Sequence, residues 1–215
     1  MKGLLVKDLR LLCSQSRFYV ILLLVLILAG TSTDATFVAG YISIIFPMFA
    51  VSTISYDEYD NGNAFLFTLP FSRKEYVLSK YLFGLLLCLF GTLLSTILIV
   101  VQNVFILGSL DLEAMISSQI GTMVSSVLIL SLMFPLQFKF GSEKSRVALI
   151  AVVGMVFFLI TIGVKLFEHV SLDLSFLSFI WNNEFILLSI LFVVMVVFIY
   201  ISIHMSIRIM MKKEF

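Results

Sequence analysis

The chain has 215 residues, 61% of them hydrophobic and only 13% charged, which is too little charge to cover a soluble domain of this size. The 14 Lys and Arg nearly balance 13 Asp and Glu and form no long basic tract, which excludes the usual electrostatic footprint of a nucleic-acid binder. Intervals 81–110, 114–138 and 147–164 contain no Asp, Glu, Lys or Arg. Each is long enough to cross a hydrocarbon core of about 30 Å, which takes roughly 20 helical residues.

In chain order, residues 1–17 place Lys7, Arg10, Ser14 and Arg17 at i, i+3, i+7 and i+10, with Leu4, Leu5, Leu9 and Leu12 on other positions. The pattern predicts an amphipathic helix along the inner membrane interface; the plainer reading is a positive topology signal. Six spans are expected at 18–33, 37–56, 81–107, 114–138, 147–165 and 184–206. Backbone in lipid must satisfy its own hydrogen bonds, and no polar alternation supports a barrel, so the spans are helices. The apolar run 18–29, ending near Ala29-Gly30-Thr31, also has the look of a secretory signal. The spans that follow favour a retained first span.

Thirteen of the 14 basic residues fall in the N-terminal stretch, the segments 57–80 and 139–146 and the C-terminus, leaving Lys165 alone opposite. The positive-inside rule makes that side cytoplasmic, and an even number of spans agrees with both termini inside. The fold expected is therefore an all-α integral membrane protein with six transmembrane helices, N-in and C-in, forming one domain over 1–215.

Segment 57–80 is the longest cytoplasmic loop. It runs from Asp57, Glu58, Asp60 and the turn signal Asn61-Gly62 through Ala64-Phe65-Leu66-Phe67 to Leu69-Pro70. Pro70 limits a helix before it, and Ser72 with Glu75 forms a capping box that opens the next helix. Apolar side chains such as Phe65 and Phe67 have no reason to face cytosol, so they should bury against lipid, this chain or a partner. The outer segment 166–183 is too polar to span but carries Trp181, which suits an interfacial or re-entrant piece or, more simply, an external loop.

Chemistry is scarce. His169 and His204 fall at opposite ends of the expected topology, and neither a Gly-x-Ser-x-Gly nor a His-Glu-x-x-His pattern occurs. In Gly141-Ser142-Glu143-Lys144-Ser145, Glu143 and Phe138 stand where a phosphate-binding loop needs glycine. Cys13 and Cys88 fall too far apart to indicate a disulfide or metal site. No catalytic, cofactor or metal residue is assigned. Gly84, Cys88, Gly91 and Ser95 make a small-residue stripe suited to helix packing, within the chain or in a dimer. Pro47 and Pro135 should kink their spans. Spans without ionisable groups argue against an ion-coupled carrier, so any driving energy should enter through the cytoplasmic loop.

Lys7-Asp8-Leu9, the six spans, and the loop Asp57-Glu58 … Leu69-Pro70-Phe71-Ser72-Arg73-Lys74-Glu75 … Ser79-Lys80-Tyr81 together resemble the permease subunits of ABC-2 type exporters. The Leu69-Pro70-Phe71-Ser72-Arg73 stretch followed by Lys80-Tyr81 resembles the compact bacterial branch that includes exporters of phenol-soluble modulins, lantibiotics and bacitracin-like peptides. The resemblance implies a non-enzymatic permease in a bacterial cytoplasmic membrane. It would pair with a second, identical or homologous permease, and each would engage a separate ATP-binding subunit that holds ATP and Mg. A hydrophobic or amphipathic peptide or lipid-like substrate would be moved outward. The family's coupling helix maps onto 57–69, so Asp57, Glu58, Asp60, Arg73, Lys74 and Glu75 are expected to make or support ATPase contacts, with Phe65 and Phe67 packing the joint. Segment 166–183 would match the family's external re-entrant helices. Rival readings are a membrane immunity protein that binds a membrane-active peptide without transport, and a passive channel.

Overall fold

A computed structural model describes residues 2–14, 17, 20–22, 24–25, 28, 35–59, 62–104, 112–169 and 184–213. Its helices are α1 (Lys2–Ser14), α2 (Ala35–Glu58), α3 (Gly62–Leu66), α4 (Arg73–Gln102), α5 (Leu112–His169) and α6 (Glu184–Lys212). No strand occurs among the described residues. Four segments of these helices are long and apolar enough to cross a membrane: Phe37–Glu58, Arg73–Gln102, Met115–Ser142 and Ser189–Lys212. The expected span 147–165 is helical as the second part of α5. Most of the expected span 18–33, and 170–183 of the outer segment, lie outside the described residues.

Local sequence accounts for the breaks. The capping box at the start of α4 is present: the Ser72 N–H donates to Glu75 Oε2 at 2.8 Å and the Glu75 N–H to Ser72 Oγ at 3.2 Å, satisfying two donors that a helix start leaves free. Gly141 interrupts the 58 residues of α5 at φ 76°, ψ 178°, a region that is essentially glycine-only. It divides the expected fourth and fifth spans near the place that the charges of 139–146 suggested.

Helices α2, α4, α5 and α6 bury Ile42, Ala50, Ile54, Tyr81, Leu130, Phe134 and Phe138 between them. Leu86, Leu93 and Ile97 of α4 and Val193, Val197 and Ile201 of α6 point outward, as lipid requires. Polar groups inside the bundle pair with one another: Ser95 Oγ donates to Gln119 Oε1 at 2.8 Å and Ser125 Oγ to Ser43 Oγ at 3.2 Å. Such bonds hold helices together where lipid leaves the hydrophobic effect weak.

The small-residue stripe lies on the buried face of α4. A Cβ on Gly91 would sit 2.8 Å from Phe46 Cγ and 3.1 Å from its Cβ, whereas one on Gly84 would meet Leu130 Cδ1 at 2.3 Å. The Leu130 methyl rotates away more easily than the root of the Phe46 ring. Gly91→Ala should therefore be the costlier change, at about 1–3 kcal/mol, with Gly84→Ala below it in detergent unfolding titrations. The reverse order would show that Phe46 is free to move.

Candidate functional site: the α3 end of the bundle

Helix α2 ends in two adjacent carboxylates that serve different neighbours. Asp57 Oδ2 receives the Lys80 ammonium at 2.7 Å and the Tyr76 hydroxyl at 2.9 Å, and Asp57 Oδ1 pairs with Lys7. Lys80 also reaches Asp8 Oδ1 at 2.7 Å, Thr53 Oγ1 at 3.1 Å and the Thr53 carbonyl at 3.3 Å. Lys7 stands 3.5 Å from Asp8. Two ammonium and two carboxylate groups thus tie α1, α2 and α4 together, with Lys80 1% and Asp8 0% exposed. Burial pushes the Asp8 carboxyl above its ordinary range, against the pull of Lys80 and Lys7.

Glu58 turns the other way. Its Oε2 accepts the Ser142 N–H at 2.9 Å and lies 3.5 Å from Gln137 Nε2, while Oε1 takes the Lys213 ammonium at 3.1 Å. Gln137 in turn donates to Ser55 Oγ at 3.1 Å and accepts from Ser145 Oγ at 2.6 Å. Arg73 closes the same end, donating to the carbonyls of Met210 and Lys213 at 2.9 and 2.6 Å while lying over the Phe67 ring, 5.7 Å from its centroid.

Between these anchors the loop is compact. A Cβ at Gly62 would come within 2.8 Å of the Asp57 carbonyl, so the close approach of the start of α3 to the end of α2 needs glycine. After α3, the N–H groups of Phe67, Thr68 and Leu69 bond back to Asn63, Phe65 and Leu66. Leu66 is buried, and Phe67 packs edge-on to Tyr76 with ring centroids 5.5 Å apart. Phe65 is 73% and Tyr59 74% exposed.

The eight loop residues singled out from sequence therefore separate into distinct groups. Asp57, Glu58 and Arg73 bond within the chain, and Glu75 caps α4. Phe67 packs inward, and Phe65 and Lys74 face outward. Asp60 lies outside the described residues. The short helix is also smaller than the stretch 57–69 suggested, because α2 runs on through Glu58. Sequence reasoning missed Asp8 and Lys80 as a buried pair, and with them the ionisable groups held at the span ends. The available signal was spacing: Lys80 follows Tyr76 by one turn of a helix whose start the capping box fixes.

A cavity of about 670 Å³ lies between α2 and the two parts of α5. Ser52, Ser55, Gln137, Ser142 and Ser145 give it a polar side, and Val51, Met133 and Leu149 an apolar one.

Residues 3–211 match the family described as ABC-2 family transporter protein. The chain belongs to the ABC-2 transporter family. As an ABC-2 protein it is a membrane transport component and not itself a catalyst, and permeases of this family generally work with ATP-binding cassette subunits. No curated protein matches it in sequence. Among its described residues no group of three or more His, Cys, Asp or Glu is placed to hold a metal ion. The α3 end of this ABC-2 chain is held by several ion pairs and hydrogen bonds, and its outward side carries Tyr59, Phe65 and Leu69 together with Lys74.

Proposed function

We propose that the chain is the permease half of an ATP-driven exporter, with six spans and both termini on the cytoplasmic side of a bacterial membrane. It pairs with a second permease, identical or homologous. Each permease seats its α3 segment on a separate ATP-binding subunit, where ATP and Mg are bound and hydrolysed. The cargo is hydrophobic or amphipathic, a peptide or a lipid-like molecule.

One observation carries this reading. A five-residue helix exposes Phe65 while internal ion pairs and hydrogen bonds fix the chain on both sides of it. Exposed aromatic side chains on a rigid support suit a docking knob. Tyr59 and Lys74 flank it on the same loop and are also exposed. Closure of the paired ATPases would press on α3 and move the ends of α2 and α4.

The test is gentle-detergent purification of the tagged chain from its native membrane. An ATP-binding subunit should co-purify in stoichiometric amount and be lost with Phe65→Asp, while Phe67→Asp should damage folding as well, because Phe67 packs inside. A wild-type chain that emerges alone, or with a peptide only, would instead support a non-transporting immunity protein.

A further inference from the structure

We propose that Glu58 is a positioning residue that carries movement of α3 to the break at Gly141 and so to the cavity between α2 and α5; this rests on the exporter reading. Three features of the geometry meet at this side chain. Glu58 is the last residue of α2, and α3 begins four positions later at Gly62, which lies against the Asp57 carbonyl, so displacement of α3 reaches the end of α2 directly.

The second feature is the break. At Gly141 the backbone leaves the helical region, and the helix that resumes at Ser142 starts with N–H groups lacking partners in the preceding turn. Glu58 Oε2 supplies an acceptor for the Ser142 N–H at 2.9 Å. Its negative charge also sits at the positive end of that helix. A carboxylate from α2 thus caps a helix remote from it in sequence.

The third feature is the cavity wall. Gln137 stands beside Glu58 Oε2 at 3.5 Å, and its side chain bridges Ser55 and Ser145. Those residues and Ser142 line the cavity. Shifting Glu58 pulls on the start of the second part of α5 and on the polar wall together. Asp57 faces the Lys80 cluster instead, so the Gly141 branch depends on Glu58 and not on its neighbour.

The experiment uses the complex of the permease with its co-purifying ATP-binding subunit in lipid nanodiscs. A cysteine is placed on the cavity wall as Ser52→Cys in a Cys13→Ser background, with buried Cys88 left in place. Maleimide labelling at position 52 is timed with and without a non-hydrolysable ATP analogue, alongside ATP hydrolysis and subunit association. With Glu58 intact the analogue should change the labelling rate. Glu58→Ala should abolish that change in complexes that still hold the ATP-binding subunit, as the association measurement identifies them. Glu58→Gln keeps an acceptor for Ser142 but loses the charge that pairs with Lys213, so it should retain part of the response.

A full nucleotide response in Glu58→Ala would overturn the proposal, as would an intact complex that shows none with Glu58 present. Should Glu58→Ala fail to fold, Glu58→Gln decides: a response equal to wild type rejects the assignment. Failure of any ATP-binding subunit to associate with wild type would count against the exporter reading itself, which separates the two failures.

Discussion

Lys80→Met should destabilise the protein by about 3–5 kcal/mol, the usual cost of stripping one partner from a buried ion pair. The side chain is almost fully enclosed and contacts two carboxylates, Asp8 and Asp57, at 2.7 Å each. Removing it leaves two negative charges facing a single ammonium, that of Lys7. Asp8 suffers most, because it is 0% exposed and its Oδ2 already has no hydrogen-bond partner. Detergent unfolding titrations should show the loss, together with release of α1 from the bundle as measured by proteolysis near residue 14.

Adding Asp8→Asn to Lys80→Met should recover most of that loss. The remaining Lys7–Asp57 pair is balanced, Tyr76 still donates to Asp57, and the amide removes a charge that burial makes unfavourable at that site. A double variant no more stable than Lys80→Met alone would mean that the contact with Thr53, rather than charge balance, is what Lys80 contributes. The cluster need not make the protein more stable than an apolar substitute of the same shape. Its directional contacts instead fix how α1 sits against the ends of α2 and α4, next to the segment proposed to meet the ATPase.

Hydropathy made much of this fold legible, because lipid imposes long apolar helices that composition alone can reveal. The start of α4 was also visible, through Ser72 with Glu75, and the charges of 139–146 marked the stretch in which α5 divides. The burial of Lys80 is not legible in the sequence. A lysine at a span boundary looks like a topology signal, and only the three-dimensional approach of Asp8, 72 residues away, identifies it as buried. The same holds for Glu58 and Arg73: sequence marks both as charged loop residues, while their partners Ser142 and Met210 arrive from distant helices. Phe65 and Phe67 show the limit within one loop. They share composition and neighbourhood, but the turn after α3 sends one outward and the other against Tyr76.

Phe134→Ala should cost about 3 kcal/mol, near the low end for a buried aromatic, because lipid contributes less transfer energy than water does. Phe134 is fully buried and stands edge-on to Tyr81 with centroids 4.8 Å apart; Phe138 lies 6.0 Å away on the same helix and meets Tyr76 at 6.2 Å. Since Phe67 contacts Tyr76, a continuous row of rings runs from the loop beside α3 into the bundle. Tyr81 extends it to α6 by bonding Ser206 at 2.8 Å. Truncating the Phe134 ring opens a gap between α4 and α5 opposite Gly84, where a Cβ would meet Leu130 Cδ1 at 2.3 Å and Phe134 Cζ at 3.1 Å. Gly84→Ala should therefore cost less in the Phe134→Ala background than in wild type, since Leu130 then has space to rotate. Additive costs in a double-mutant cycle would show that the helices close the gap themselves, and that Phe134 fills space without setting the distance between α4 and α5.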